Sequence, residues 1–276
     1  MQLNGLLNDG PYKTATIYDE TLSLDEMLSS NHNGKDSGDA ETPLDDESRA
    51  YINNIIRDLM ELNSQIRGRS THEKAIFNPI FRDAKRLAEQ PTQRMKLNDK
   101  LHKSLSEHVD EGLREGIYRI LDDHERGPSL RMIPIVKPNG EIRWCIDARL
   151  CNQYLEPESY DEQAMDEMLD DIKSSNCKIF SKLDIKSAFL SVPWHQDPNC
   201  APHFIHEGRR IGHLSCAFGY ASSSAAWGNL CKAVLMGIPN VKAYVDDIII
   251  FSNDLDSHAK TLREVIKRIN DANLRL

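Results

Sequence analysis

The segment Ala243-Tyr244-Val245-Asp246-Asp247-Ile248-Ile249-Ile250-Phe251 sets two adjacent carboxylates inside a run of β-branched and aromatic residues. Such residues favour strands, so the run reads as two short strands with the acidic pair at a tight hairpin turn. Neighbouring carboxylates repel one another and are costly to desolvate, and a divalent cation is the usual compensation. A further carboxylate lies upstream. In Cys177-Lys178-Ile179-Phe180-Ser181-Lys182-Leu183-Asp184-Ile185-Lys186-Ser187-Ala188-Phe189, a strand-like apolar run ends on Asp184 before turn- or helix-forming residues. Asp184 and Asp246 are 62 residues apart, which leaves room for neighbouring strands joined by a crossover. A carboxylate ending one strand and a pair on an adjacent hairpin supply ligands for two Mg²⁺ ions. At a separation of about 3.5–4 Å, two such ions activate an attacking hydroxyl and stabilise the leaving oxygen of a phosphoryl displacement. Taken alone, an Asp that ends a strand is more often a solvated turn residue.

The wording of both segments carries a resemblance. Tyr-Val-Asp-Asp followed by Ile-Ile-Ile-Phe-Ser, together with Leu-Asp-Ile-Lys-Ser-Ala-Phe, resembles the palm of a reverse transcriptase of the gypsy-type long-terminal-repeat retrotransposons. Other segments follow in the family's order. Pro134 through Asn152 resembles the fingers hairpin that closes over the incoming nucleotide. Leu113 through Leu121 resembles the helix leading into the fingers, and Ser252 through Leu276, with His258, Leu262, Val265, Ile266 and Ile269, is similar to the helix after the catalytic hairpin. The resemblance covers roughly residues 105–276.

The resemblance implies a site. Asp184 and Asp246 would bind both metals, with Asp247 a supporting ligand, and the ions would be Mg²⁺, with Mn²⁺ as a substitute. Phe189 holds the place of an aromatic ring under the nucleotide's sugar, where it would clash with a 2′-hydroxyl and favour deoxynucleotides. Lys137 and Arg143 flank Pro138-Asn139-Gly140, which reads as a hairpin tip; folded onto a triphosphate, Arg143 would offer a planar fork and Lys137 a point charge. Phe218 and Gly219 would line the nucleotide, and Tyr244 would touch the primer and template. Asp147 and Arg149 hold positions that order the fingers. The implied partners are an RNA or DNA template with its primer, deoxynucleoside triphosphates, and further polyprotein segments bearing a thumb, ribonuclease H and integrase.

The chain departs from the family at Cys216 through Trp227. Ala217 replaces the first proline of Pro-Phe-Gly-Leu, Ser222-Ser223-Ser224 replaces Asn-Ala-Pro, and Trp227 holds the aromatic place. Gly and small residues let backbone approach a ligand closely, so the geometry can survive, but two prolines that would pre-set the loop are gone. Ala148 likewise replaces an aromatic residue. Three functions are compared: a working RNA-directed DNA polymerase core, an inactive or catalytically weak retroelement remnant that keeps the palm and some nucleic-acid affinity, and an RNA-templated RNA polymerase. The carboxylates favour the first, the altered loop the second. Phe189 and Tyr-Val-Asp-Asp argue against the third.

The net charge of −9 is unevenly placed. Residues 1–50 hold 3 Lys/Arg against 11 Asp/Glu and the remainder 31 against 32, so the body is near neutral. Residues 1–47 read as an acidic, Gly/Ser-bearing tail expected to be disordered. Residues 48–104 read as a helical N-terminal region, with Ile52, Ile55, Ile56, Leu59, Leu62 and Ile66 on one apolar face. Basic residues from Arg82 to Lys103 follow, best read as a solvated face. Six cysteines without a Cys-x-x-Cys pair suggest reduced, mostly buried thiols; Cys200, His203, His206 and His213 match no established zinc spacing. The N-terminus has neither a basic start nor a long apolar core, so neither a secretory signal nor a membrane span is expected, and residence is taken as intracellular, nuclear or cytoplasmic. The expected fold is α+β: a right-hand palm, an antiparallel sheet backed by helices, with fingers over residues 105–276 and truncation before the thumb.

Overall fold

Strand β6 (Ile179–Asp184) organises the first sheet. It pairs antiparallel with β10 (Asp247–Ser252), which pairs antiparallel with β9 (Val241–Tyr244), and parallel with β1 (Lys13–Ile17), giving the order β1-β6-β10-β9. The computed structural model describes residues 13–17, 44–92, 95–137, 140–156, 165–175, 177–244 and 247–276. β6 and β10 are thus direct antiparallel neighbours, without the crossover inferred from their separation. Strand β1 falls within the acidic N-terminal segment: the β-branched residues of Lys-Thr-Ala-Thr-Ile continue the ladder on the open edge of β6.

Strand alternation gives this sheet two apolar faces. On one, Phe180, Ile249 and Phe251 pack with Met168 and Ile172 of helix α5 (Met165–Ser174), and Lys242 is ion-paired to Asp171 of the same helix at 2.7 Å. On the other lies helix α7 (Leu255–Asp271), whose His258, Leu262, Val265, Ile266 and Ile269 are all fully buried, as the helical spacing requires. His258 Nε2 lies 2.7 Å from Ser181 Oγ on β6. Helix α1 (Asp46–Ser64) packs on α7, where Arg263 clasps Asp58 at 2.6 and 2.8 Å. Its apolar face differs from the expected one: Ile52, Ile56 and Ile66 are buried, but Leu62 is exposed and Asn63 takes the inner place. Asn63 earns that position through hydrogen bonds, donating to Asn270 Oδ1 (2.6 Å) and the Leu274 carbonyl (3.0 Å) and accepting from the Leu276 amide (2.9 Å). It thereby satisfies groups just beyond the end of α7 that a leucine would strand.

A second sheet has the order β2-β8-β7-β3, from β2 (Tyr118–Ile120), β3 (Ser129–Leu130), β7 (His203–His206) and β8 (Arg209–His213). Beside it in sequence are helices α2 (Ala84–Ala88), α3 (Asp99–Arg114) and α4 (Arg149–Tyr154), the hairpin of β4 (Met132–Val136) and β5 (Ile142–Ile146), and helix α6 (Ser223–Leu235). The helix expected over Leu113–Leu121 stops at Arg114. Gly116 adopts φ 71° and the Ile117 amide bonds back to the Gly112 carbonyl at 2.8 Å, a left-handed stop after which Tyr118–Ile120 pairs as a strand.

The described residues cluster into two compact units, one drawn from Met1–Arg67, Asp161–Lys186 and Cys231–Leu276, the other from Gly68–Tyr160 and Ser187–Leu230. The helical region expected over 48–104 is therefore divided between them. All six cysteines are free and five are buried; burial pushes Cys151, Cys200 and Cys216 up to about 12, so these thiols are unreactive. No described helix is long and apolar enough to cross a membrane.

Two predictions follow from this packing. Asn63→Ala leaves groups at the α7 end unpaired and should destabilise the fold by about 1–3 kcal/mol, visible as a lower thermal midpoint. Burial holds His213 down to about 3 and His258 down to about 4, so both stay neutral in the folded chain while the unfolded chain binds protons near pH 6.5. Their stabilisation is complete above pH 6.5 and is lost as the pH falls toward 4, at about 2 kcal/mol per group by pH 5. Thermal melts between pH 8 and 5 should show this slope, and His213→Phe should reduce it by about half, the His258 contribution remaining.

Candidate active site

Asp184 is the last residue of β6 and Asp247 the first of β10, and the register sets them directly opposite one another. Directly opposed residues on an antiparallel pair have Cβ atoms about 4.5–5.5 Å apart, so the two carboxylates share one patch of the sheet. Asp247 also faces Tyr244 across the β9–β10 hairpin, which leaves Val245 and Asp246 as its two connecting residues; both lie outside the described residues. The acidic pair is therefore not wholly in the turn: Asp247 belongs to β10, because its backbone continues the ladder to both neighbours.

Lys182 stands two residues before Asp184 on the same strand, hence on the same face, and its Nζ lies 2.9 Å from Asp247 Oδ2. About a fifth of each partner's side chain is exposed, so the pair is only lightly screened. This cation carried no role in the sequence reading; the two-residue period of β6 was the signal that could have found it. Asp184 itself is exposed. Tyr244 is half-buried and packs against the Met168, Ile172 and Phe251 cluster.

The residues expected at the nucleotide lie in the other unit, and three of them touch. The guanidinium of Arg143 sits over the Phe218 ring, 4.1 Å from its centroid, and Phe218 meets Phe189 edge to face at 5.4 Å. Arg143 reaches this place from β5; Phe189 opens a 3₁₀ turn, Phe189–Ser191, five residues after Asp184. Lys137 is exposed at the other side of the hairpin, paired with Glu141 at 2.9 Å, and does not join the stack. Gly140 has φ 85° and its amide bonds to the Lys137 carbonyl at 2.9 Å, as a hairpin tip requires; Pro138 and Asn139 lie outside the described residues.

Gly219 follows Phe218 with φ 105°, and a Cβ there would stand 2.9 Å from the Ile146 carbonyl. Only glycine fits that close approach to β5. Asn152, at first noted only as part of the fingers segment, grips this loop: its Nδ2 donates to the Gly219 carbonyl at 2.8 Å and its Oδ1 accepts from the Ala221 amide at 3.1 Å. Ser223 fastens the loop from inside, donating to the Ala217 carbonyl at 2.9 Å and accepting from the Cys216 thiol at 3.1 Å. The loop that lacks the family's prolines is thus held by side-chain hydrogen bonds at the start of α6. Asp147 is buried with Arg149 at 2.7 Å and Arg131 at 2.9 Å, and the Arg149 guanidinium foremost holds its carboxyl far below the usual range.

Residues 135–276, just over half of the chain, match the family model described as reverse transcriptase (RNA-dependent DNA polymerase). The chain is 29% identical over 172 residues to the Pol polyprotein from transposon opus of Drosophila melanogaster, covering 61% of this chain and 17% of that one. It is 24% identical over 176 residues to the transposon Tf2-3 polyprotein of Schizosaccharomyces pombe, covering 62% of this chain and 13% of the relative. It therefore spans less than a fifth of the length of these relatives. Among solved structures, the prototype foamy virus protease-reverse transcriptase superposes with a TM-score of 0.68 at 20% identity, covering 84% of this chain and 30% of that one. The foamy viral enzyme in complex with an RNA/DNA hybrid gives the same TM-score at 21% identity. With the family's match running from the fingers hairpin through the paired carboxylates to α7, this chain belongs to the reverse transcriptase family.

Proposed function

We propose that the chain is the fingers and palm of a retroelement RNA-directed DNA polymerase, which adds deoxynucleotides to a primer 3′-hydroxyl paired to an RNA or DNA template. The opposition of Asp184 and Asp247 within the family-matched residues carries this reading. A carboxylate-only donor set is hard and oxygen-based, which suits Mg²⁺ and also accepts Mn²⁺. Held by Asp184, Asp246 and Asp247, two such ions would make the primer hydroxyl a better nucleophile and offset charge on the departing pyrophosphate.

The chain's own side chains do the rest. Lys182 screens Asp247 from Asp184 and keeps its carboxylate turned toward the strand pair. Arg143, braced on Phe218, presents in-plane donors suited to the incoming triphosphate, and Lys137 adds a point charge. Phe189, braced on the same ring, lies under the sugar and rejects a 2′-hydroxyl. Gly219, whose missing Cβ lets its backbone pack against the Ile146 carbonyl, lines the nucleotide beside Phe218, and Tyr244 meets the primer and template. The foamy viral enzymes, whose solved complexes hold an RNA/DNA hybrid or double-stranded DNA, support a nucleic-acid partner here. A thumb, a ribonuclease H and an integrase belong, in this reading, to other segments of one polyprotein acting inside the cell.

Primer extension on an RNA template with deoxynucleotides and Mg²⁺ tests the proposal. The intact chain should incorporate nucleotides, and Asp184→Asn or Asp246→Asn should lower incorporation by at least about a hundredfold, since even outer-shell changes at metal sites cost 10–100-fold. A folded chain that binds the primer-template and incorporates nothing would assign it to the inactive remnants, the reading that Ala217 and Ser222-Ser223-Ser224 favour. A second prediction concerns Lys182. Lys182→Met removes a cation that opposes metal entry, so half-maximal activity should need severalfold less Mg²⁺, equivalent to about 1 kcal/mol, while the metal-free chain melts lower. A higher Mg²⁺ requirement would show that Lys182 serves mainly to position Asp247.

A further inference from the structure

A cluster remote in chemistry from the carboxylates lies between α3 and the β7–β8 turn, all within the unit of Gly68–Tyr160 and Ser187–Leu230. His102 of α3, His206 of β7 and Glu207 bring one ligand atom each to within 4.8 Å of one another, and among the described residues this is the one such group. It is not the set weighed from the sequence. His203 is committed to the Ala201 carbonyl at 3.1 Å, and His213 is enclosed by Tyr118, Trp194 and Phe204, so only His206 of that set belongs here.

Adjacent strand residues ordinarily point to opposite faces. Here Glu207 has φ 49° and Gly208 φ 74°, the positive pair of a tight hairpin turn, and the Glu207 carboxylate comes round to 3.7 Å from His206 Nε2. The left-handed position is one that glutamate occupies at a cost and that asparagine or glycine would fill more easily. Ser106, one turn along α3 from His102, sits at the centre. Its hydroxyl lies 2.9 Å from His206 Nε2, 3.2 Å from Glu207 Oε1 and 3.1 Å from the His102 carbonyl. The hydroxyl proton is shared between the His102 carbonyl and the Glu207 carboxylate, while His206 Nε2 gives or takes a proton according to its tautomer. His206 is buried, and a neutral imidazole is the form that ligates metals.

We propose that His102, His206 and Glu207 form a Zn²⁺ site that clips helix α3 to the β7–β8 turn. Two imidazoles and one carboxylate with a fourth position left to water are a recurrent Zn²⁺ donor set, and the nitrogen donors disfavour Mg²⁺. Zn–N bonds of about 2.0–2.1 Å place tetrahedral ligand atoms about 3.3 Å apart. His102 is exposed, so a change of its rotamer closes the remaining gap without disturbing the core. Arg209 Nη2, 3.3 Å from Glu207 Oε2 and 3.9 Å from Asp110 Oδ1, holds the far oxygen and leaves Oε1 turned to His206.

Titration of the chelator-stripped chain with ZnCl₂, read by calorimetry and thermal melting, tests the site. One Zn²⁺ per chain should bind at this site and raise the melting midpoint by about 5 °C at a hundredfold excess over Kd. His102→Ala and Glu207→Gln alter exposed side chains, so both should melt like the wild type without zinc, yet each should lose at least about tenfold in affinity. Asp184→Asn, at the separate carboxylate pair, should keep the zinc-induced shift. Failure of zinc to raise the wild-type midpoint would overturn the proposal. So would wild-type affinity in both cluster variants, which would place any bound ion on the cysteines or the carboxylates.

Discussion

The register between β6 and β10 is the constraint on which the first unit depends. It forces Asp184 and Asp247 to face each other, an arrangement that electrostatics alone opposes. Apolar packing imposes it. Phe180 and Phe251 stack on one face with ring centroids 6.5 Å apart, while Leu183, Ile248 and Ile250 are buried on the other. A slip of one residue would move every one of these side chains to the wrong face, carrying Asp184 with them. The burial of about five large apolar side chains, at about 1.5–3 kcal/mol each, outweighs the repulsion of two partly exposed carboxylates. The helices extend the argument: α7 covers the sheet, α1 covers α7, and Asn63 fastens the end of that stack.

The second unit solves a different problem, which is to hold flat groups and backbone in close, open contact without burying them. Arg143, Phe218 and Phe189 brace one another, so each loses little freedom on meeting a ligand. Gly219 packs its backbone against Ile146, and Asn152 and Ser223 pin the flanking peptides. Prolines would limit such a loop by restricting φ; hydrogen bonds limit it by satisfying its amides and carbonyls. The substitution of serine and alanine for proline therefore changes how the loop is held while leaving the loop small.

What the sequence revealed and what it hid divide along physical lines. The β6 and β10 strands, the hairpin tip at Gly140 and the buried face of α7 were legible because two-residue or 3.6-residue apolar periodicity, or turn chemistry, dictates each of them. The strand at Lys13–Ile17 was hidden by its neighbours: the charge of the whole tail outweighed five residues whose pairing depends on a partner 166 positions away. The end of α3 at Arg114 turned on the single positive-φ Gly116. Leu62 and Asn63 exchanged places because periodicity ranks residues by hydropathy, and it cannot see that three hydrogen-bonding groups await an amide at the end of α7. Lys182 and Asn152 act through partners 65 to 69 residues away that only folding brings near, while Ser223 acts through Ala217 and Cys216, six and seven residues before it, by a loop conformation that periodicity does not encode.

The two proposed metal sites follow from where each unit keeps its charge. In the first, carboxylates stay near solvent and a lysine partly neutralises them, so a hard, weakly dehydrating cation can enter and leave with each nucleotide. In the second, a buried imidazole and an exposed carboxylate held by Arg209 are already oriented. Only the exposed His102 has to change its rotamer there, and an ion bound at that place would remain. Exchange suits a reaction that repeats along a template, and retention suits a staple between a helix and a hairpin. Under the two proposals, donor chemistry would keep the roles apart within one chain: oxygen alone where turnover is required, nitrogen and oxygen together where permanence is.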